Sequence, residues 1–152
     1  MLSQLFLDRT QEHFYRRVYS SIQEAKIESL GRVLIVDDNT LVRESLSHVL
    51  RERGYTAFEA EDGEAALIIF ESEDIQIAII DIMMPTMGGL QLRQVLADRE
   101  PSIPIILVTG QPEIVESLVE DDLEFQYGTV SLLQKPVHPV KLLAEVEKRL
   151  SA

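Results

Sequence analysis

Asp37, Asp38, Asp81, Thr109 and Lys135 each stand where a short apolar run of this sequence stops. Taken singly they are ordinary. An Asp-Asp pair ahead of a helix is an N-cap, and a lone Asp before a turn is a turn residue. Thr109-Gly110 serves as a loop start and Lys135 as a surface lysine. Taken together they are three carboxylates, a hydroxyl and an ammonium. Three carboxylates about 4 Å apart repel by roughly 4 kcal/mol per pair at an effective dielectric near 20, unless a cation sits among them. Hard oxygen donors without His or Cys beside them select Mg²⁺, with Mn²⁺ as the other candidate. Mg²⁺ keeps positions open for phosphate oxygens, and a carboxylate can attack a phosphoryl group to give an aspartyl phosphate. Metal, lysine and threonine could then each meet one oxygen of the transferring group.

Such a site needs elements that bring these residues to one place. Short β-branched runs fall at 32–36 (RVLIV), 55–60 (YTAFEA), 75–80 (IQIAII), 103–108 (IPIILV) and 129–134 (TVSLLQ). Between them, helical spacing runs from Leu41 to Arg53, Gly63 to Glu71, Gly89 to Arg99, Pro112 to about Glu124, and Pro139 to Leu150. Val42, Leu46, Val49 and Leu50 mark one apolar face, and Val140, Leu143, Val146 and Leu150 another. Strands alternating with helices predict an α/β domain, a doubly wound parallel sheet in a three-layer sandwich. Runs one, three and four are almost wholly apolar, as strands covered on both faces are. The second, with Thr56 and Glu59, reads as an edge. Ligands of such folds bind beyond the carboxyl ends of the strands, where the five polar residues fall.

Composition narrows the function classes. The 152 residues are 45% apolar and contain no cysteine, which removes disulfides, thiolate nucleophiles and zinc–thiolate sites. No apolar run reaches the roughly 18 residues of a membrane span, and the N-terminus lacks the pattern of a signal peptide, so a cytoplasmic protein without membrane contact is expected. In residues 1–31, Arg9, Arg16, Arg17 and Lys26 balance Asp8, Glu12, Glu24 and Glu28, so the net charge of −12 falls on residues 32–152. A domain this acidic is repelled by phosphate backbones, which argues against direct nucleic-acid binding and for cations and basic protein surfaces as partners.

VLIVDDNTLVRESLSHVLRERGY (33–55), DIMMPTMGG (81–89), LVTG (107–110) and QKP (134–136) resemble, in order, the motifs of the receiver domain of two-component response regulators. The resemblance covers residues 32 to about 150. It implies a flavodoxin-like sandwich with strand order 2-1-3-4-5, while residues 1–31 lie outside it and read as a helical extension. By position, Asp81 resembles the phosphoacceptor. Asp37 and Asp38 resemble the metal-binding acidic pair, completed by Asp81 and the backbone carbonyl of Met83. Thr109 resembles the switch hydroxyl, and Lys135 the lysine that pairs with the phosphoryl group, with a cis peptide before Pro136. The implied cofactor is Mg²⁺ and the implied partner a histidine kinase or histidine phosphotransfer protein. The implied role is signalling by a conformational switch, without substrate turnover beyond self-phosphorylation and self-dephosphorylation. The Asp81 carboxylate is expected to stand exposed to the donor.

The sequence also departs from the family. Leu132 stands where receivers usually carry Tyr or Phe, and the stretch from Thr109 to Lys135 is longer than usual and includes the acidic EDDLEF (120–125). These departures favour a repacked fourth helix of the domain and keep open an alternative, an interaction module that works without phosphorylation. Met83 and Gln111 flank the path of an attacking water. Met83 cannot activate water, so self-dephosphorylation is expected to be slow. A phosphatase would want a carboxylate at Met83, and a nucleotide binder a glycine-rich loop in place of Asp37-Asp38-Asn39. In the extension, Phe14, Tyr15, Val18, Ile22 and Ala25 make a stripe at helical spacing, suited to docking on the chain's own domain or to self-association. His48 is expected to be structural, and a rim position for His138, near Lys135 in sequence, is the lesser of its readings. The ending at Ala152 suits a stand-alone receiver or one cut from a longer protein.

Overall fold

The structure, a computed structural model, describes residues 9–24, 28–113 and 130–151. Its strands are β1 (Arg32–Val36), β2 (Thr56–Ala60), β3 (Ile77–Asp81), β4 (Ile105–Thr109) and β5 (Val130–Gln134). All neighbours pair in parallel, in the order β2-β1-β3-β4-β5. The helices are α1 (Arg9–Glu24), α2 (Thr40–Glu52), α3 (Gly63–Ser72), α4 (Gly89–Arg99) and α5 (Pro139–Leu150). The expected helix from Pro112 to about Glu124 lies, beyond Glu113, outside the described residues, as does EDDLEF.

The pleat sorts the central strands into two cores. Leu34, Val36, Ala78, Ile80, Ile105 and Leu107 face α3 and α4, against Ala66, Leu92 and Leu96. Val33, Ile35, Ile77, Ile79, Ile106 and Val108 face α2 and α5, against Leu46, Leu50, Leu142 and Val146. Period-two alternation explains why these runs are apolar throughout: every residue meets a helix on one side or the other. β2 and β5 are the edges and are only partly covered.

Several boundaries differ from the sequence reading. Ile75 and Ile103 precede their strands because each N–H turns back, to the carbonyls of Glu73 and Glu100, while the side chains still enter the core. β3 runs one residue further than expected and takes in Asp81, paired with Val108. On α5 the buried residues are Leu142 and Val146, and Val140 is 67% exposed. Val140 lies two residues, about 200° of helix, from Leu142 and so turns away from the sheet. His48 is exposed on α2, and His138 caps α5, its Nδ1 accepting from the Val140 N–H at 3.2 Å. His48 thus lies outside the core, and His138 has a structural role as a helix cap.

Helix α1 departs from one sequence expectation too. Residues 9–20 are all exposed, Phe14 at 65% and Tyr19 at 66%, so the described stripe does not dock on the chain's own domain. Phe14 and Tyr15 meet edge to face at 6.1 Å. The side chains of Ile22 and Ala25 lie outside the described residues.

Candidate functional site

The pleat also decides which polar residues meet. Asp37 continues the alternation of Val33 and Ile35, Asp81 that of Ile77 and Ile79, and Lys135 that of Leu133, so all three sit above the α2–α5 face. Val36 pairs with Ile80, which places Asp37 and Asp81 on the next step of the same ladder. Lys135 Nζ bridges them, 3.0 Å from Asp37 Oδ2 and 3.1 Å from Asp81 Oδ2. Asp38 joins from solvent, and one carboxylate oxygen from each of the three aspartates lies within 4.8 Å of the others.

Local geometry fixes each group. The N-cap of α2 is Asn39, whose side chain accepts from the Val42 N–H at 3.0 Å, so neither aspartate is spent on capping. Asp37 Oδ1 accepts instead from the Asn39 N–H at 2.8 Å, and the Asp37 N–H donates to the Ala60 carbonyl. Asp81 Oδ1 accepts from the Met83 N–H at 3.1 Å. Past Met83, a buried Met84 and the Gly88-Gly89 pair return the chain, and the Gly89 N–H donates to the Ile82 carbonyl at 3.0 Å. A Cβ on Gly89 would collide with the Asp81 carbonyl oxygen and the Ile82 Cα, so only glycine lets α4 begin so close to Asp81. The Lys135 N–H donates to the Thr109 carbonyl at 2.8 Å, and Lys135-Pro136 is a cis peptide.

Burial is uneven across the cluster. Asp37, Asp81 and Thr109 are buried, Asp38 and Met83 exposed. Asp81 therefore does not stand exposed as the sequence suggested, because Lys135 closes over one oxygen and the Met83 amide over the other. Burial raises the Asp81 carboxyl above its ordinary pKa, and the nearby Asp37 charge adds to the rise, against the lowering effect of Lys135. For Lys135, burial would lower the pKa, but hydrogen bonds to Asp37 and Asp81 outweigh it and hold the ammonium charged. Three carboxylates against one ammonium leave about two negative charges, which fits a divalent cation held by oxygen donors. Asp37, Asp38 and Asp81 are placed to hold it, with Met83 beside them through its backbone.

Thr109 lies one step past the Asp81 partner Val108, and its Oγ1 accepts from the Gln111 N–H at 3.0 Å, which leaves the hydroxyl proton free to donate. Leu132, paired with Leu107, is half-buried against the α3–α4 core. Sequence reasoning missed two residues. Asn39 was hidden because Asp37, Asp38 and Asn39 are all competent caps. Arg43 was hidden because it reads as an ordinary helix-surface arginine, yet it donates from Nη1 to the Asp37 carbonyl at 2.7 Å.

Residues 33–147 match the family model of the response regulator receiver domain. The chain is 33% identical over 119 residues to the response regulator MprA of Mycolicibacterium vanbaalenii, covering 78% of this chain and 50% of that protein. It is 33% identical over 108 residues to a cyclic di-GMP phosphodiesterase of Thermotoga maritima, covering 70% of this chain and 27% of that protein. Thus the chain spans half or less of the length of these relatives. Among solved structures, response regulator protein TrrA from Thermotoga maritima in complex with Mg²⁺-BeF is 32% identical, with a TM-score of 0.66 over 80% of this chain and 100% of that one.

Proposed function

This chain belongs to the response regulator receiver domain family, and on that premise we propose that Asp81 accepts a phosphoryl group from a histidine kinase or histidine phosphotransfer protein. The observation that carries the reading is the single ammonium of Lys135 shared between Asp37 and Asp81 beside a third carboxylate. Asp81 Oδ2 attacks phosphorus along a line that Lys135 opens by moving onto the phosphoryl oxygens. The bond from phosphorus to the donor histidine nitrogen breaks, and that nitrogen leaves with its electron pair. Asp37 and Asp38, with Asp81 and the Met83 carbonyl, hold Mg²⁺ (or Mn²⁺), which when bound neutralises charge on the transferring group. Thr109 donates its hydroxyl proton to a phosphoryl oxygen, and that new bond draws β4 and its following loop into the switch.

The same reading assigns residues 32–152 to the receiver and residues 1–31 to a helical extension. It places the protein in the cytoplasm, with no enzymatic turnover beyond its own phosphorylation and dephosphorylation and no direct contact with nucleic acid. Among the described residues no helix is long and apolar enough to cross a membrane. The uncovered Phe14, Tyr15 and Val18 make self-association through α1 part of the proposal. Because Met83 offers no group to activate water, the phosphoryl group persists. Met83→Asn is expected to speed its loss several-fold, and an unchanged rate would remove this explanation.

The direct test is intact mass after incubation with a small acyl-phosphate donor, with and without Mg²⁺. A metal-dependent gain of one phosphoryl group, absent in Asp81→Asn, is the expected result. No gain in the parent chain would overturn the assignment and leave an interaction module that works unphosphorylated.

A further inference from the structure

Asp37 is held at every polar atom, and three of the four ties come from backbone or from Lys135. The fourth is Arg43, about one turn into α2, whose Nη1 reaches back to the Asp37 carbonyl at 2.7 Å. Its side chain is only 13% exposed, and its Nε faces Glu59 Oε1 of β2 at 3.6 Å. Glu59 is gripped from the other side by Arg51 Nη2 at 3.2 Å, and the same Arg51 nitrogen donates to the Ala57 carbonyl at 2.9 Å. A continuous set of polar contacts thus runs from edge strand β2 through Glu59 and Arg43 to the backbone of the acidic pair.

We infer that Arg43 is a positioning residue for the cation site: it fixes the peptide that joins Asp37 to Asp38, and so sets the separation of the two carboxylates. The inference rests on the proposed metal-binding reading. The Asp37 carbonyl stands past the last paired step of β1 with β3, where the ladder offers it no partner, and Arg43 supplies one. The planar fork lets one cation meet a carbonyl through Nη1 and a carboxylate through Nε, from two separate nitrogens that a lysine's single ammonium does not offer. The nearby positive charge also offsets part of the crowding of the aspartates. Outer groups that orient metal ligands commonly set metal affinity by about 10- to 100-fold.

The experiment is Mg²⁺ affinity by titration calorimetry of the full chain, repeated with Mn²⁺ by water-proton relaxation, for the parent, Arg43→Met, Arg43→Lys, Glu59→Gln and Asp37→Asn. Thermal unfolding in chelator runs in parallel. Arg43→Met is expected to weaken metal binding about 10-fold, Arg43→Lys and Glu59→Gln by about 3-fold, with little change in the chelator transition. In acyl-phosphate labelling, the half-saturating Mg²⁺ should rise while the rate at saturating metal holds. Unchanged affinity in Arg43→Met, or in Glu59→Gln should Arg43→Met not fold, overturns the inference and leaves a structural arginine. A parent chain that binds no Mg²⁺ overturns the metal site itself, a separate outcome marked by no difference from Asp37→Asn.

Discussion

At the amino end of the sheet, Arg32 pairs with Glu73, donates to the Asp74 carbonyl at 3.1 Å and lies 4.8 Å over the ring of Phe58. At the carboxyl end, the Lys135 ammonium faces the carboxylates of both Asp37 and Asp81, with Asp38 close by. Both ends join strands to the segments around them through opposite charges. The amino end closes its account with one cation for one carboxylate, partly in water, where such a pair contributes little. The carboxyl end keeps an excess of negative charge, which a bound cation would relieve. Charge balance, more than the presence of ion pairs, separates the structural end from the chemical one.

The largest effect should come from Lys135→Ala. Without its ammonium, Asp37 and Asp81 face each other buried and unpaired, and metal-free stability should fall by about 2–4 kcal/mol. Added Mg²⁺ should recover much of that, because binding to the folded state alone stabilises it. Arg32→Ala should cost about 1 kcal/mol or less and show no such rescue. Denaturant unfolding of both variants with chelator and with Mg²⁺ tests the pair, and equal metal responses at the two ends would collapse the distinction.

Charge removal should act with opposite sign at the two ends. Burial and the nearby Asp37 charge raise the Asp81 carboxyl, so Asp81→Asn should stabilise the metal-free protein while abolishing phosphoryl uptake. Glu73→Gln should destabilise slightly, by about 0.5 kcal/mol, and leave uptake intact. Stability of Asp81→Asn below that of the parent in chelator would mean that Lys135 already balances the site.

The smallest effect is in pH dependence. Asp81, with its raised pKa, binds its proton more tightly in the folded than in the unfolded chain. Stability is therefore lost as pH rises from the ordinary carboxyl range through that raised value. Glu145 is the counter-case. Burial pushes its carboxyl up, but the hydrogen bond from Arg149 at 2.8 Å and the positive charges of Arg149 and Lys148 together outweigh this and hold it below its ordinary range. Its contribution is present above the ordinary range and lost as pH falls through the lowered value. In chelator, the difference between the parent and Asp81→Asn, and that between the parent and Glu145→Gln, should both vanish in acid, from opposite signs. Differences of the same sign would contradict the assignment.

Much of this was legible in the sequence because apolar runs that end in polar residues mark strand ends, and a parallel sheet brings those ends to one rim. The meeting of Asp37, Asp38, Asp81 and Lys135 followed from that rule, and the strand order from the family resemblance. What failed depended on facing rather than spacing. Val140 and Leu142 both belong to plausible stripes on α5, and only the packed sheet chooses between them. The burial of Asp81 was invisible because it arises from Lys135, distant in sequence, folding over it. Arg43 looked like solvent-facing charge because its acceptor is a backbone carbonyl, which no residue pattern displays. Helix α1 was recognised by its stripe, but amphipathicity alone does not say what the stripe meets.

The bond from the Lys135 N–H to the Thr109 carbonyl carries a consequence for how this architecture tolerates editing. Two residues of the site that lie far apart along the chain are brought together by the pairing of adjacent strands. A substitution that lengthens or breaks the pairing of β4 with β5 would therefore displace Thr109 and Lys135 relative to each other, whereas one that keeps the pairing keeps both at the rim.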